Sequence, residues 1–194
     1  MAPSGLPKTP FWFLRHGQTD YNAKGLSQGA IDIPLNETGR TQARTAAPLL
    51  IDRGIVSIIC SPMLRTRETA AIVNESLRLP ITYDPAIREV IFGGMEGQPL
   101  HPWFQSWMDG DYTPDGAESF AELTARVLAA LHRILTQPGP VLLVSHGGVF
   151  RAVRDLMGIT REGLTPNGQP LLCTPTETGW QVIAPPMNAE TTPP

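Results

Sequence analysis

Lysine almost disappears from this chain. Of its 15 basic residues 13 are arginine, and the two lysines, Lys8 and Lys24, both stand near the start. With no lysine after position 24, a Gly-Lys-Ser/Thr phosphate loop is excluded and a Schiff-base lysine is not expected. Cysteine is equally scarce: Cys60 and Cys173 are too few for a disulfide framework or a cysteine-rich zinc site. No His-Glu-x-x-His or Cys-x-x-Cys spacing occurs, so no metal site is expected. No apolar run approaches the ~20 residues that span a bilayer, and Met1–Pro7 contains no signal-peptide core. The expectation is a cytoplasmic protein without a membrane partner. A formal net charge of −3 leaves no cationic footprint for nucleic acid.

What is present suits one globular domain. The 194 residues are 41% hydrophobic and 17% charged, enough apolar material for a proper core. Proline, at 20 residues, is about twice its usual ~5% share. Seven of those prolines fall in the first and last ten residues. Residues 1–9 and 185–194 therefore read as extended tails around a single domain at 10–184.

Along that domain, short apolar runs alternate with longer amphipathic ones. Phe11 to Leu14, Ile55 to Cys60, Ile81 to Tyr83 and Val141 to Val144 read as strands. Helices are expected from Asn36 to about Asp52, after Pro62, from Phe120 to Ile134, and from Gly147 to Met157. Leu171–Cys173 and Trp180–Ile183 are weaker strands, expected to pair antiparallel. The rhythm predicts a three-layer α/β/α sandwich around a mostly parallel sheet. Residues 93–116, rich in Gly, Pro and Trp, fit neither pattern and read as a small lid over the sheet.

Ligands of open parallel sheets bind beyond the carboxyl ends of the strands. Those stations hold Arg15-His16-Gly17, Ser61-Pro62 with Arg65, Arg88-Glu89 and Ser145-His146-Gly147-Gly148. Two of the chain's four histidines thus occupy equivalent stations, each followed by a glycine that lets backbone approach a ligand. Two imidazoles, two arginines and helix N-termini make an anion site. A neutral imidazole beside it is a nucleophile toward phosphorus, and Glu89 is the nearby group able to protonate a leaving oxygen. Cys60 before Arg65 lacks the glycine-rich loop of a cysteine phosphatase, and Ser145 lacks the glycines of a nucleophile elbow. His132 and His101 are expected to be structural and exposed, respectively.

The stretch Leu14-Arg15-His16-Gly17-Gln18-Thr19-Asp20-Tyr21-Asn22 resembles the Arg-His-Gly signature of the histidine phosphatase (phosphoglycerate mutase-like) superfamily. The resemblance continues through Asp32-Ile33-Pro34-Leu35, Ser61-Pro62 with Arg65 to Ala70, Arg88-Glu89 with Glu96-Gly97, Gly116 to Ser119, and Ser145 to Gly148. It implies that His16 becomes phosphohistidine and that Glu89 is the general acid and then the base. It further implies that Arg15, Asn22, Arg65, His146 and the Gly147 N–H hold the phosphoryl oxygens, with no metal or cofactor. Gln28 and Gly29 match substrate-lining positions, and Trp103 and Trp107 of the lid are placed with them. The implied substrate is a small phosphorylated molecule, and an apolar C-terminal strand could support a homodimer.

The same site can pass phosphate to water or to a second substrate. Between Arg88 and Arg126 the chain has neither Lys nor Arg, but has Trp103, Phe104, Trp107 and several acids. Such a lid does not suit a doubly phosphorylated carboxylate. The expectation is therefore a phosphomonoester hydrolase. A phosphoglycerate mutase-type transferase is the alternative, and a non-catalytic phospho-ligand-binding module is the more distant one.

Overall fold

Strand Phe11–Arg15 (β1) is apolar almost throughout because both of its faces are covered. Phe11 and Phe13 join one buried cluster, while Trp12 and Leu14 join another on the opposite face. Val141–Ser145 (β4) divides in the same way, with Val141 and Leu143 on one side and Leu142 and Val144 on the other. In the computed structural model, which describes residues 5–160 and 165–187, these strands belong to one six-stranded sheet. Its other members are Ser57–Cys60 (β2), Ile81–Tyr83 (β3), Pro170–Pro175 (β5) and Trp180–Ile183 (β6). The spatial order is β3-β2-β4-β1-β5-β6. The first four positions run parallel, and β5 and β6 add an antiparallel hairpin at one edge.

Among the described residues six α-helices complete the fold: Asp20–Ala23 (α1), Glu37–Leu50 (α2), Leu64–Leu77 (α3), Trp103–Asp109 (α4), Phe120–Leu135 (α5) and Gly147–Leu156 (α6). Helices α2 and α3 pack Ala46, Ala47, Leu50, Ala70 and Val73 onto the Trp12 face. Helices α5 and α6 close the Phe13 face with Leu123, Val127, Leu131, Phe150 and Val153. This is the expected three-layer sandwich. The start of α2 is held by the Asn36 side chain, which accepts from the Gly39 N–H at 2.9 Å. Among the described residues, no helix is long and apolar enough to cross a membrane.

Three local departures from the sequence expectations have physical reasons. Helix α2 stops at Leu50 rather than near Asp52, since Ile51 turns extended and Asp52 takes φ 57°. Helix α1 is short and apolar-poor, so periodicity cannot reveal it; a capping box between Thr19 and Asn22 builds it instead. Residues 93–116 are not uniformly irregular. They contain α4, whose Trp103 and Trp107 pack with Phe92 and Phe120 in an edge-to-face aromatic mesh. At the chain ends, Leu6 is buried in the main core although residues 1–9 read as an extended tail. Residues 1–4 and 188–194 lie outside the described residues.

Phe150 ties α6 to the sheet: its ring centroid lies 4.4 Å from that of Phe13, and both side chains are fully buried. Phe150→Ala should cost about 3–5 kcal/mol. Urea unfolding should show a lower midpoint with an unchanged slope. A loss below about 1 kcal/mol would mean that this contact does not anchor α6.

Candidate active site

Parallel pairing of β1 with β4 sets Arg15 opposite Ser145, so the next residue on each strand is a histidine at the same edge of the sheet. The His16 N–H donates to the Ser145 carbonyl at 3.0 Å, and the two imidazole centroids stand 5.3 Å apart. The turn after His16 runs against the first turn of α2. A side chain at Gly17 would begin 2.3 Å from the Gly39 carbonyl oxygen, and one at Gly39 would begin 2.1 Å from that of Gln18. Only glycine at both positions permits this approach.

His16 has its tautomer settled by its neighbour. Nδ1 lies 2.7 Å from the Gly17 carbonyl, which can only accept, so the proton sits on Nδ1 and the Nε2 lone pair is free. Burial, then the positive charges of Arg65 and Arg15, hold His16 well below the usual histidine range. His146 is depressed in the same way, by burial first and Arg65 next. Its Nε2 lies 2.7 Å from the Ser61 hydroxyl, while Nδ1 is buried without a partner among the described residues.

The arginines are fixed from behind. Arg65 is completely buried, and its two Nη atoms donate to the carbonyls of Ile31 and Gly29 at 2.9 and 3.0 Å. Arg15 donates from Nη1 to the Thr165 carbonyl at 2.6 Å, and burial draws it down to about 10. Each keeps a buried Nε without a partner among the described residues. The orphaned buried N–H groups of Arg15 and Arg65 beside the His16 ring are what a bound oxyanion would satisfy.

Glu89 is half-buried, and its Oε2 accepts from the Gly148 N–H at 3.1 Å at the start of α6. The backbone beside it is clamped. Arg126 forms a double ion pair with Glu118 at 2.6 and 2.7 Å and donates from Nη1 to the Ala86 and Arg88 carbonyls. Glu96 braces the opposite rim, accepting from the N–H groups of Ala30 and Phe92 at 2.9 Å each. Gly29, at φ 43°, has no room for a side chain there, since one would begin 2.1 Å from Glu96 Oε1.

Of the expected residues, Arg15, His16, Asn22, Gln28, Gly29, Glu89 and Gly147 line one open cleft. Arg65 and His146 stand buried immediately behind it, and the charge of Arg65 is close enough to depress both His16 and His146. Trp103 and Trp107 do not line it. Their spacing places both on the core side of α4, where their Nε1 atoms donate to the Pro99 and Glu118 carbonyls. Phe104, next to Trp103, reaches the cleft instead, together with Leu26, Phe92 and Leu100. Sequence reasoning also missed Arg151, which lines the cleft one helical turn after Gly147 on α6; that i, i+4 spacing was the available signal. Asn167 was missed too, and nothing local marks it: Nδ2 donates to the His16 carbonyl at 2.9 Å and to Asn22 Oδ1 at 3.2 Å. Cys60 and Ser145 have other duties, since burial pushes the Cys60 thiol up to about 12 and the Ser145 hydroxyl donates to the Ile87 carbonyl.

A model of the histidine phosphatase superfamily (branch 1) matches residues 11–181, and the chain belongs to that superfamily. It is 37% identical over 148 residues to the uncharacterized phosphatase PhoE of Bacillus subtilis (strain 168), covering 75% of each chain. A probable phosphoglycerate mutase, GpmB of Yersinia enterocolitica, is 37% identical over 148 residues, covering 70% of this chain and 68% of its own. Among solved structures, the mycobacterial glucosyl-3-phosphoglycerate phosphatase complexed with VO3 superposes with a TM-score of 0.77 at 29% identity. That match covers 90% of this chain and 97% of the other. Family and relatives together make this chain an enzyme of the phosphatase type.

The two neutral imidazoles have a thermodynamic consequence. Unfolding frees both to take up protons at the ordinary histidine pKa of about 6.5, which the folded state resists. The unfolded chain then binds more protons, so stability holds above that pH and falls below it. The slope should reach about 1.4 kcal/mol per pH unit for each histidine. Urea unfolding between about pH 7.5 and 5.5 should show this decline, and His16→Ala should remove one histidine's share. Flat stability across that window would contradict neutral, buried imidazoles.

Proposed function

We propose that this enzyme is a metal-independent phosphomonoesterase that acts on a small phosphorylated metabolite through a phosphohistidine at His16. The observation that carries this reading is the His16 tautomer, with Nε2 free beside the unpartnered N–H groups of Arg15 and Arg65 and the unpartnered Nδ1 of His146. In the first step the Nε2 lone pair forms a bond to phosphorus while the bond from phosphorus to the ester oxygen breaks. Glu89 gives its proton to that oxygen, and the alcohol leaves. In the second step the Glu89 carboxylate takes a proton from water as the water oxygen attacks phosphorus. The P–N bond breaks, its electrons return to Nε2, and inorganic phosphate departs. Arg15, Arg65, Asn22 and the Gly147 N–H hold the phosphoryl oxygens throughout. A Ser61 hydroxyl that donates to His146 Nε2 leaves that ring's proton on Nδ1, adding one more donor.

The kinship with a probable phosphoglycerate mutase favours a second outcome of the same first step, in which an acceptor alcohol replaces water. Hydrolysis of 4-nitrophenyl phosphate in EDTA tests the main reading. Wild type should be active, and His16→Ala should lose roughly a thousand-fold or more. Glu89→Gln should lose roughly 10²–10⁴-fold on an alkyl phosphate and much less on the nitrophenyl ester, whose leaving group needs little protonation. Activity that survives in His16→Ala, or that vanishes on chelation, would overturn the phosphohistidine route. Transfer to an acceptor alcohol as fast as hydrolysis would favour the mutase reading.

A further inference from the structure

The lid between Arg88 and Arg126 carries no Lys or Arg, yet the cleft beneath it holds one arginine beyond those assigned to phosphate. Arg151 reaches the cleft from α6. Its guanidinium carbon lies 5.0 Å from the centroid of the Phe104 ring. Its Nε is buried without a partner among the described residues, and its Nη1 reaches the Gly147 carbonyl only at a long 3.4 Å. Arg15 stands close by. The point where a Gly147 side chain would begin is 3.4 Å from Arg15 Cζ and 3.5 Å from Arg151 Nη1. Two like charges flank a bare glycine, and Glu89 is the carboxylate whose field both feel.

This arrangement has a built direction. A guanidinium lying against an aromatic ring keeps its in-plane N–H groups free, and those groups match a planar carboxylate with two parallel hydrogen bonds. Leu26, Leu100 and Phe92 supply apolar surface around the same space, suited to a short carbon skeleton. We propose that Arg151, backed by Phe104, is the specificity-determining residue of a leaving-group subsite. It selects phosphomonoesters whose alcohol portion carries a carboxylate. The inference rests on the phosphatase reading above and adds to it the chemistry of the group being released.

The test compares kcat/KM for phenyl phosphate with that for 3- and 4-carboxyphenyl phosphate, leaving groups of similar basicity that differ in the anionic handle. Wild type should favour at least one carboxylated ester, chiefly through KM. Arg151→Gln should lose about 10–100-fold more on that ester than on phenyl phosphate, the range expected for one charge-assisted pair. Arg151→Lys should restore only part of the preference, since an ammonium lacks the planar fork. Phe104→Ala, which leaves the charge in place, should weaken the preference by a smaller factor. An equal fall on both kinds of ester in Arg151→Gln would assign Arg151 to the phosphoryl group or to the fold and overturn the proposal. So would a wild type without any preference. Failure of wild type to hydrolyse any of these esters would instead refute the phosphatase reading on which the subsite stands.

Discussion

A fully buried guanidinium is the constraint around which this site is organised. Removing an arginine from water costs several kcal/mol, and the cost is met only when its N–H groups find fixed acceptors. Arg65 finds two in the carbonyls of Gly29 and Ile31. Its charge feels the carboxylates of Glu89, Asp32 and Glu96 without forming a direct ion pair to any of them among the described residues. That leaves net positive potential at the strand ends. The same potential helps burial keep the His16 and His146 rings neutral, and only a neutral ring has a lone pair to offer phosphorus. In the proposed reaction, the charge that attracts the anion thus also favours the neutrality that attack requires.

Holding Arg65 in place requires the loop that accepts its hydrogen bonds to be rigid. Glu96 supplies that rigidity by binding the backbone of Ala30 on one side and of Phe92 on the other. The loop before the lid and the loop carrying Gln28 and Gly29 are therefore one unit, joined by the Glu96 carboxylate. Gln28 ties the same loop to the turn after β1, since its Oε1 accepts from the Thr19 hydroxyl at 2.8 Å. A carboxylate–arginine pair, Glu118 with Arg126, steadies the segment bearing Glu89 in a comparable way. Because that pair is largely shielded from water, breaking one member would leave the other buried and uncompensated, a larger loss than for a surface pair.

The strand-end residues were legible in the sequence because a parallel sheet confines its ligands to one edge, and residues after apolar runs mark that edge. Arg15, His16, Glu89 and His146 could be read this way, and the layered fold followed from the alternation of strand and helix. The lid could not. Its helix α4 is seven residues long and rich in aromatics, so tertiary packing rather than intrinsic propensity decides its register. Trp103 and Trp107 stand out in the sequence as large side chains near a cleft, but packing turns them inward and gives the cleft to Phe104. Asn167 lies 151 residues from His16 along the chain, and only the return of the chain into β5 brings its amide to the His16 backbone.

Charge in the cleft shows why reading the lid alone misleads. A lid without lysine or arginine suggests a site indifferent to a second anion, provided that the lid supplies every wall. It does not, because α6 begins just after the β4 strand end and its next turn carries Arg151 against the lid's own Phe104. In the proposed reaction the phosphate half of the site is built from strand ends and backbone that the whole sheet holds still. The proposed leaving-group half is built where a helix and a small aromatic cap meet, and there single substitutions can alter recognition without disturbing His16. With the subsite at Arg151, selectivity becomes a property of the contact between α4 and α6 rather than of either element alone.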